Sequence, residues 1–168
     1  MKTINVIMPP VGTYWEGEGG FNGGIFQPRD GSAPRILIYD IANILESARW
    51  GKTTAVAASA GKFDGAANTR AILEADPDNV IAKHITSLEI DGHRDFFWPA
   101  IFELTHLFVT AGDKILDALP GYGAWSSSQP PGYPSDAYVQ YFDDGGQFWY
   151  HKDDEFGAVA VRSKSLNY

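Results

Sequence analysis

Apolar residues alternate with small or polar ones near the start of the chain, recur every three or four positions in the middle, and alternate again at the end. The two periods separate strands from helices. Residues 23–27 (GGIFQ) and 35–39 (RILIY) flank Arg29-Asp30-Gly31-Ser32 and predict a hairpin. Residues 4–8 alternate imperfectly up to Pro9-Pro10, as an edge strand or an arm lying on a neighbour would. Residues 41–50 bring Ile44, Leu45 and Trp50 near one helical face before Gly51, which fits a short helix or a loop; residues 52–62 have no period and read as loop. Asn68 or Thr69 can cap a helix through Ile72 and Leu73, which Asp76-Pro77-Asp78 interrupts; Pro77 suits a new first turn. Ile81, Ile85 and Leu88 then form one stripe over residues 80–89, ended by Asp91-Gly92. A second helix starts at Pro99, turns Ile101, Leu104, Leu107 and Phe108 inward and closes before Gly112. Residues 137–142 and 147–151 flank Asp143-Asp144-Gly145-Gly146 as a second hairpin, and residues 158–163 form a last strand with Val159 and Val161 on one face. Hairpin, helices and loop-rich sheet in that order predict an α+β fold, two helices packed on a twisted antiparallel sheet with long loops.

The segment 122–150 adds a second signal. It holds nine of the chain's 23 aromatic residues, one Val and no Lys or Arg, the remainder being mostly Ser, Gly, Pro, Gln and Asp. Flat rings beside short hydrogen-bonding groups suit a binding surface, yet rings also fill cores. Two readings therefore stand, a ligand-binding rim and a loop-rich β core. Strand alternation over 137–142 sets Tyr138, Gln140 and Phe142 opposite Val139 and Tyr141, so one of the two sets is buried.

Composition narrows the partners. At 168 residues the chain forms one domain with a core large enough to need no staples. It has no Cys, which excludes disulfides, thiolate metal sites and cysteine nucleophiles. A net charge of −8 repels phosphate backbones and anionic lipid, so nucleic acid is not an expected partner. No apolar run approaches the roughly 18 residues that span a bilayer, so membrane insertion is not expected. The opening residues show no signal peptide. An extracellular role is then reached within a larger particle or by lysis.

Several short patterns also occur in a fixed order: Gly23-Gly24-Ile25-Phe26, Arg35-Ile36-Leu37-Ile38, Trp50-Gly51, Gly65-Ala66-Ala67-Asn68-Thr69-Arg70-Ala71-Ile72, Asp91 through Pro99 with Phe102-Glu103-Leu104, Ala124-Trp125-Ser126-Ser127-Ser128, Ala137-Tyr138, Phe142-Asp143-Asp144-Gly145 and Val161-Arg162. Together they resemble the family named for the C-terminal domain of a collagen-like bacterial adhesin, over about residues 20–165. That family has a C-type-lectin-like fold and is distantly akin to formylglycine-generating enzymes and to variable receptor-binding proteins of phages. The chain departs from it in having Phe-Phe-Trp-Pro before the second helix and a single closing arginine. The chain is therefore divided into an N-terminal arm over residues 1–19, ahead of the resemblance, and a C-type-lectin-like binding domain over residues 20–168. The resemblance also implies that the motif residues build the scaffold while the loops between them carry the ligand. On that scaffold Trp98 plugs the core, Glu103 meets the positive end of the helix dipole, and Ser126, Ser127 and Ser128 tie turn backbone.

Candidate chemistry is sparse. None of His84, His93, His106 and His151 is paired at metal spacing. A Ser-His-Asp triad can be drawn from Ser126–Ser128, His151 and Asp136, but without a nucleophile elbow. Formylglycine chemistry needs cysteine ligands that are absent, so the chain is expected not to be an enzyme. Calcium is weighed on Asp136, Asp143, Asp144, Asp153, Asp154 and Glu155 against ordinary solvated turn carboxylates; otherwise no cofactor is expected. Gly51-Lys52 and Gly61-Lys62 lack the glycine spacing of a phosphate loop. The expected site is a ligand-binding one, with Trp125, Tyr133, Tyr138 and Trp149 stacking and Gln129, Asp136, Gln140 and His151 placed beside them. The expected function is an adhesin-like receptor-binding domain of a phage tail or baseplate, with a host cell-surface glycan or protein as ligand. The alternative is a virion decoration protein that buries the same loops against other tail subunits or its own copies.

Overall fold

The structure is a computed structural model that describes residues 7–54 and 61–166. It is α+β. The strands are β1 (Tyr14–Trp15), β2 (Gly20–Phe26), β3 (Arg35–Arg49), β4 (Gly123–Trp125), β5 (Asp136–Tyr141), β6 (Gln147–His151) and β7 (Glu155–Ser165), and the helices are α1 (Gly65–Ala75), α2 (Val80–Thr86) and α3 (Ile101–Ala118). The strands make one sheet in the order β1-β2-β3-β7-β4-β5-β6, so β1 and β6 are its edges. All neighbours are antiparallel except β4 and β7, which run parallel through Ala124 and Gly157. The sheet is therefore mixed where a purely antiparallel one was expected.

Both faces of β7 are buried, which the alternation of its side chains explains. Val159 and Val161 join Leu37, Tyr39, Leu104, Leu107 and Ile115 in the core beneath α3. Ala158 and Ala160 face the other way, toward Ile72, Ile81, Ile85 and three tryptophans, Trp50, Trp98 and Trp125. Each indole N–H finds a backbone carbonyl: Trp50 Nε1 donates to Ser126 O at 2.8 Å, Trp98 Nε1 to Trp125 O at 2.8 Å, and Trp125 Nε1 to Ala48 O at 2.9 Å. The trio thus buries large rings without stranding a donor, and it laces the segments around residues 50, 98 and 125 together.

Four sequence expectations change. Of residues 41–50, all but Trp50 continue β3 in place of a helix or loop, pairing with β7 through Leu45–Ala158 and Ala48–Phe156 across two register shifts. The interrupted helix is two helices, because Asp76 ends α1 and the Asn79 side chain caps α2 by accepting from Ala82 N at 3.0 Å. The third helix does not close before Gly112. It kinks at Ala111 and runs to Ala118, since Ile115 continues its buried stripe. Finally, the expected arm over residues 1–19 enters the sheet at β1, where Trp15 is buried. Glu18 then meets Arg162 Nη1 at 2.8 Å and Lys164 Nζ at 2.7 Å. Most of the strand expected at residues 4–8 lies outside the described residues; Ile7 and Met8 are exposed.

The scaffold residues singled out by the resemblance are anchored as their chemistry requires. Glu103 is sealed at the start of α3, where it accepts from Ala100 N at 2.8 Å, Gly65 N at 3.0 Å and Arg35 Nη2 at 2.7 Å. Burial pushes its carboxyl up to about 7 in spite of that guanidinium. Arg162 is clamped between Glu18 and Asp95, with Nε 2.8 Å from Asp95 Oδ1.

Candidate functional site

The second hairpin forms as the Asp-Asp-Gly-Gly turn dictates. Asp144 Oδ1 accepts from Gly146 N at 2.8 Å, and Gly145 has φ +80° with Phe108 packed where a Cβ would stand. Strands β5 and β6 then pair without a register shift, Tyr138 opposite Trp149 and Asp136 opposite His151. Alternation puts those four side chains on one face. A turn over residues 130–136, in which Tyr133 N donates to Pro130 O and Asp136 N to Tyr133 O, swings a third ring onto the same face.

The result is an aromatic rim. Tyr133 stacks on Trp149 with centroids 5.7 Å apart and planes 23° from parallel, and Tyr138 meets Trp149 edge-on at 5.7 Å and 83°. Trp149 is 49% exposed and Tyr133 is 54% exposed, although they pack on one another. Lys62, carried by the segment that leads into α1, lies 5.4 Å from the Tyr138 ring centre. On the opposite face of β6, Phe148 is also about half exposed and meets Tyr141 edge-on at 5.7 Å.

Three of the expected binding residues are elsewhere. Trp125 is fully buried in the tryptophan trio, because β4 lies inside the sheet between β7 and β5. Gln140 is sealed on the rim's own face under a hydrogen-bond cluster, its Oε1 accepting from Thr105 Oγ1 at 3.0 Å and from Gln147 Nε2 at 3.3 Å. Gln129 accepts from the buried amine of Lys152 at 2.6 Å. That amine also donates to Thr54 O at 2.9 Å and lies 4.4 Å from the Trp50 ring centre. Burial lowers its pKa to about 8. So Trp125, Gln129 and Gln140 hold the hairpin in place and do not face solvent. Tyr133, Tyr138 and Trp149 converge, with Asp136 and His151 at the end of the same face.

The triad drawn from the sequence does not assemble. Ser126 Oγ donates to Tyr138 O at 2.9 Å, Ser128 Oγ donates to Gly61 O at 2.7 Å, and Ser127 Oγ accepts from Asn68 Nδ2 at 3.2 Å. All three serines are buried, while exposed His151 has Nδ1 3.5 Å from Asp153. Among the described residues no three His, Asp or Glu side chains gather as a metal ion would require, the carboxylates weighed for calcium included. His84, His93 and His106 each hydrogen-bond a backbone carbonyl, of Asn43, Gly17 and Gly23. Lys62 and Phe148 were absent from the expected site. Phe148 carried the same aromatic signal as Trp149, whereas nothing local marks Lys62.

No family model matches the chain, and no curated protein matches it. Among the described residues no helix is long and apolar enough to cross a membrane.

Proposed function

We propose that this is a non-enzymatic receptor-binding domain of adhesin type, carried on a phage tail or baseplate and directed at a glycan or protein on the host cell surface. The fold is read as C-type-lectin-like. The scaffold positions of Trp98, Glu103, Trp125, Ser126–Ser128 and Arg162 support that reading, since these are the motif residues of the adhesin-domain resemblance. The observation that carries the binding role is the rim itself: Tyr133 and Trp149, each about half exposed, packed together with the partly buried Tyr138 beside the β6 edge of the sheet. Rings fixed by one another lose little entropy on binding and offer flat apolar faces to a sugar or to another side chain. The test is adsorption of the chain to a panel of intact bacterial cells and to a glycan array, with Trp149→Ala and Tyr133→Ala as probes. Loss of binding in both variants, with folding intact, supports the assignment; unchanged binding in both removes it.

A further inference from the structure

The rim's strand also presents bare backbone. Tyr141 N donates to Gly146 O and Lys152 N to Ser135 O, both at 2.8 Å, which fixes the phase of the β5–β6 ladder. Residues 146, 148, 150 and 152 turn their backbone groups toward β5, so Gln147, Trp149 and His151 turn theirs away from it. Among the described residues no hydrogen bond takes up those three N–H groups. The edge has none of the usual protection: β6 (QFWYH) contains no Lys or Pro, and its pairing with β5 has no bulge. The opposite edge, β1, is only two residues long. Phe148 and Trp149, each about half exposed, wall the open edge on its two faces.

Charge decides what fits there. A second copy pairing antiparallel about Trp149 would set the Asp143-Asp144 turn of each chain beside the Asp153-Asp154 turn of the other, and like charges so placed repel. Lys152, between those acids and the strand, has its amine buried and offers them nothing. The same carboxylates attract a cationic partner. We propose that β6 accepts an extended polypeptide segment as an eighth strand, a segment apolar at alternate positions and flanked by Lys or Arg. Its backbone pairs with Gln147 and Trp149 and with the His151 N–H, the His151 carbonyl being taken by Asp154 N at 2.8 Å, its apolar side chains lie against Phe148 on one face and Trp149 on the other, and its basic ends meet the two acidic turns. This rests on the reading of the rim as a receptor site and narrows the receptor to a protein.

The test begins with selection of a random twelve-residue peptide library against the purified chain. Enrichment of alternating, basic-flanked sequences is expected. Amide exchange should then slow at Gln147, Trp149 and His151 when a selected peptide is added. Gln147→Pro removes an outward N–H at the first residue of the strand, where proline is tolerated, and Gln147→Ala removes the side chain alone. The proline variant should bind the peptide about tenfold more weakly than the alanine variant. No enrichment, unchanged amide exchange, equal binding by the two variants, or a dimer built on β6 in light scattering each overturns the proposal. If cells or glycans still bind and Trp149→Ala abolishes that binding, the rim stands as a receptor site while strand addition falls.

Discussion

Two aromatic trios in this molecule have opposite fates. Trp50, Trp98 and Trp125 are sealed between the sheet and the α1–α2 side, each indole N–H spent on a carbonyl of another segment. Tyr133, Tyr138 and Trp149 also pack on one another, but Tyr133 and Trp149 stay about half exposed, and the Trp149 indole makes no hydrogen bond among the described residues. Trp125 and Trp149 come from one aromatic stretch of the chain. What separates them is strand order: β4 has neighbours on both sides, and β6 has one. A ring inside the sheet is stability; a ring on its edge is surface available for recognition.

The largest effect expected from breaking this contrast is in the buried trio. Trp125→Ala should cost about 3–5 kcal/mol and lower Tm by roughly 10 °C in a thermal melt. Glu103→Ala should approach that, roughly 3 kcal/mol, because it removes the carboxylate partner of Arg35 and strands two backbone donors, Gly65 N at the start of α1 and Ala100 N at the start of α3. Lys152 links the two regions, following the exposed strand and ending over Trp50. Its folded pKa of about 8 lies below the ordinary 10.5, so the unfolded chain binds more protons between those values and stability rises as pH climbs through them. Between pH 8 and 10 the gain should be roughly 2 kcal/mol, measurable by denaturant titration at several pH values and flattened in Lys152→Met. Tyr39 and Tyr141, held protonated to about 12, oppose it above pH 10. The smallest stability effect is at the rim: Trp149→Ala should change unfolding by under about 1 kcal/mol while removing binding. A Trp149→Ala melt that resembles Trp125→Ala would erase the distinction between the trios.

Local chemistry made much of the fold legible. The Asp-Asp-Gly-Gly turn between two aromatic strands, the stripe of Leu104 and Leu107 and the alternation at Val159 and Val161 each encode their element within a few residues. The second half of β3 was not legible. Ile44 and Leu45 fit a helical face as well as a strand, and the decision comes from pairing with β7 at the other end of the chain. The same limit divided the candidate site. Gln129 and Gln140 look like binding-loop amides until Lys152 and Thr105 are brought onto them. Aromatic content marked the stretch, but strand order, which sends Trp125 inward and Trp149 outward, is a property of the assembled sheet.

The most direct measurement is adsorption of the wild-type chain and of the Tyr133→Ala/Trp149→Ala double variant to the same panel of bacterial cells, with matched thermal melts. The account predicts that wild type adsorbs to a subset of the cells and that the double variant, melting within a few degrees of it, loses at least tenfold in affinity. A folded double variant that adsorbs as well as wild type, or a wild type that adsorbs to none of the cells, would contradict it.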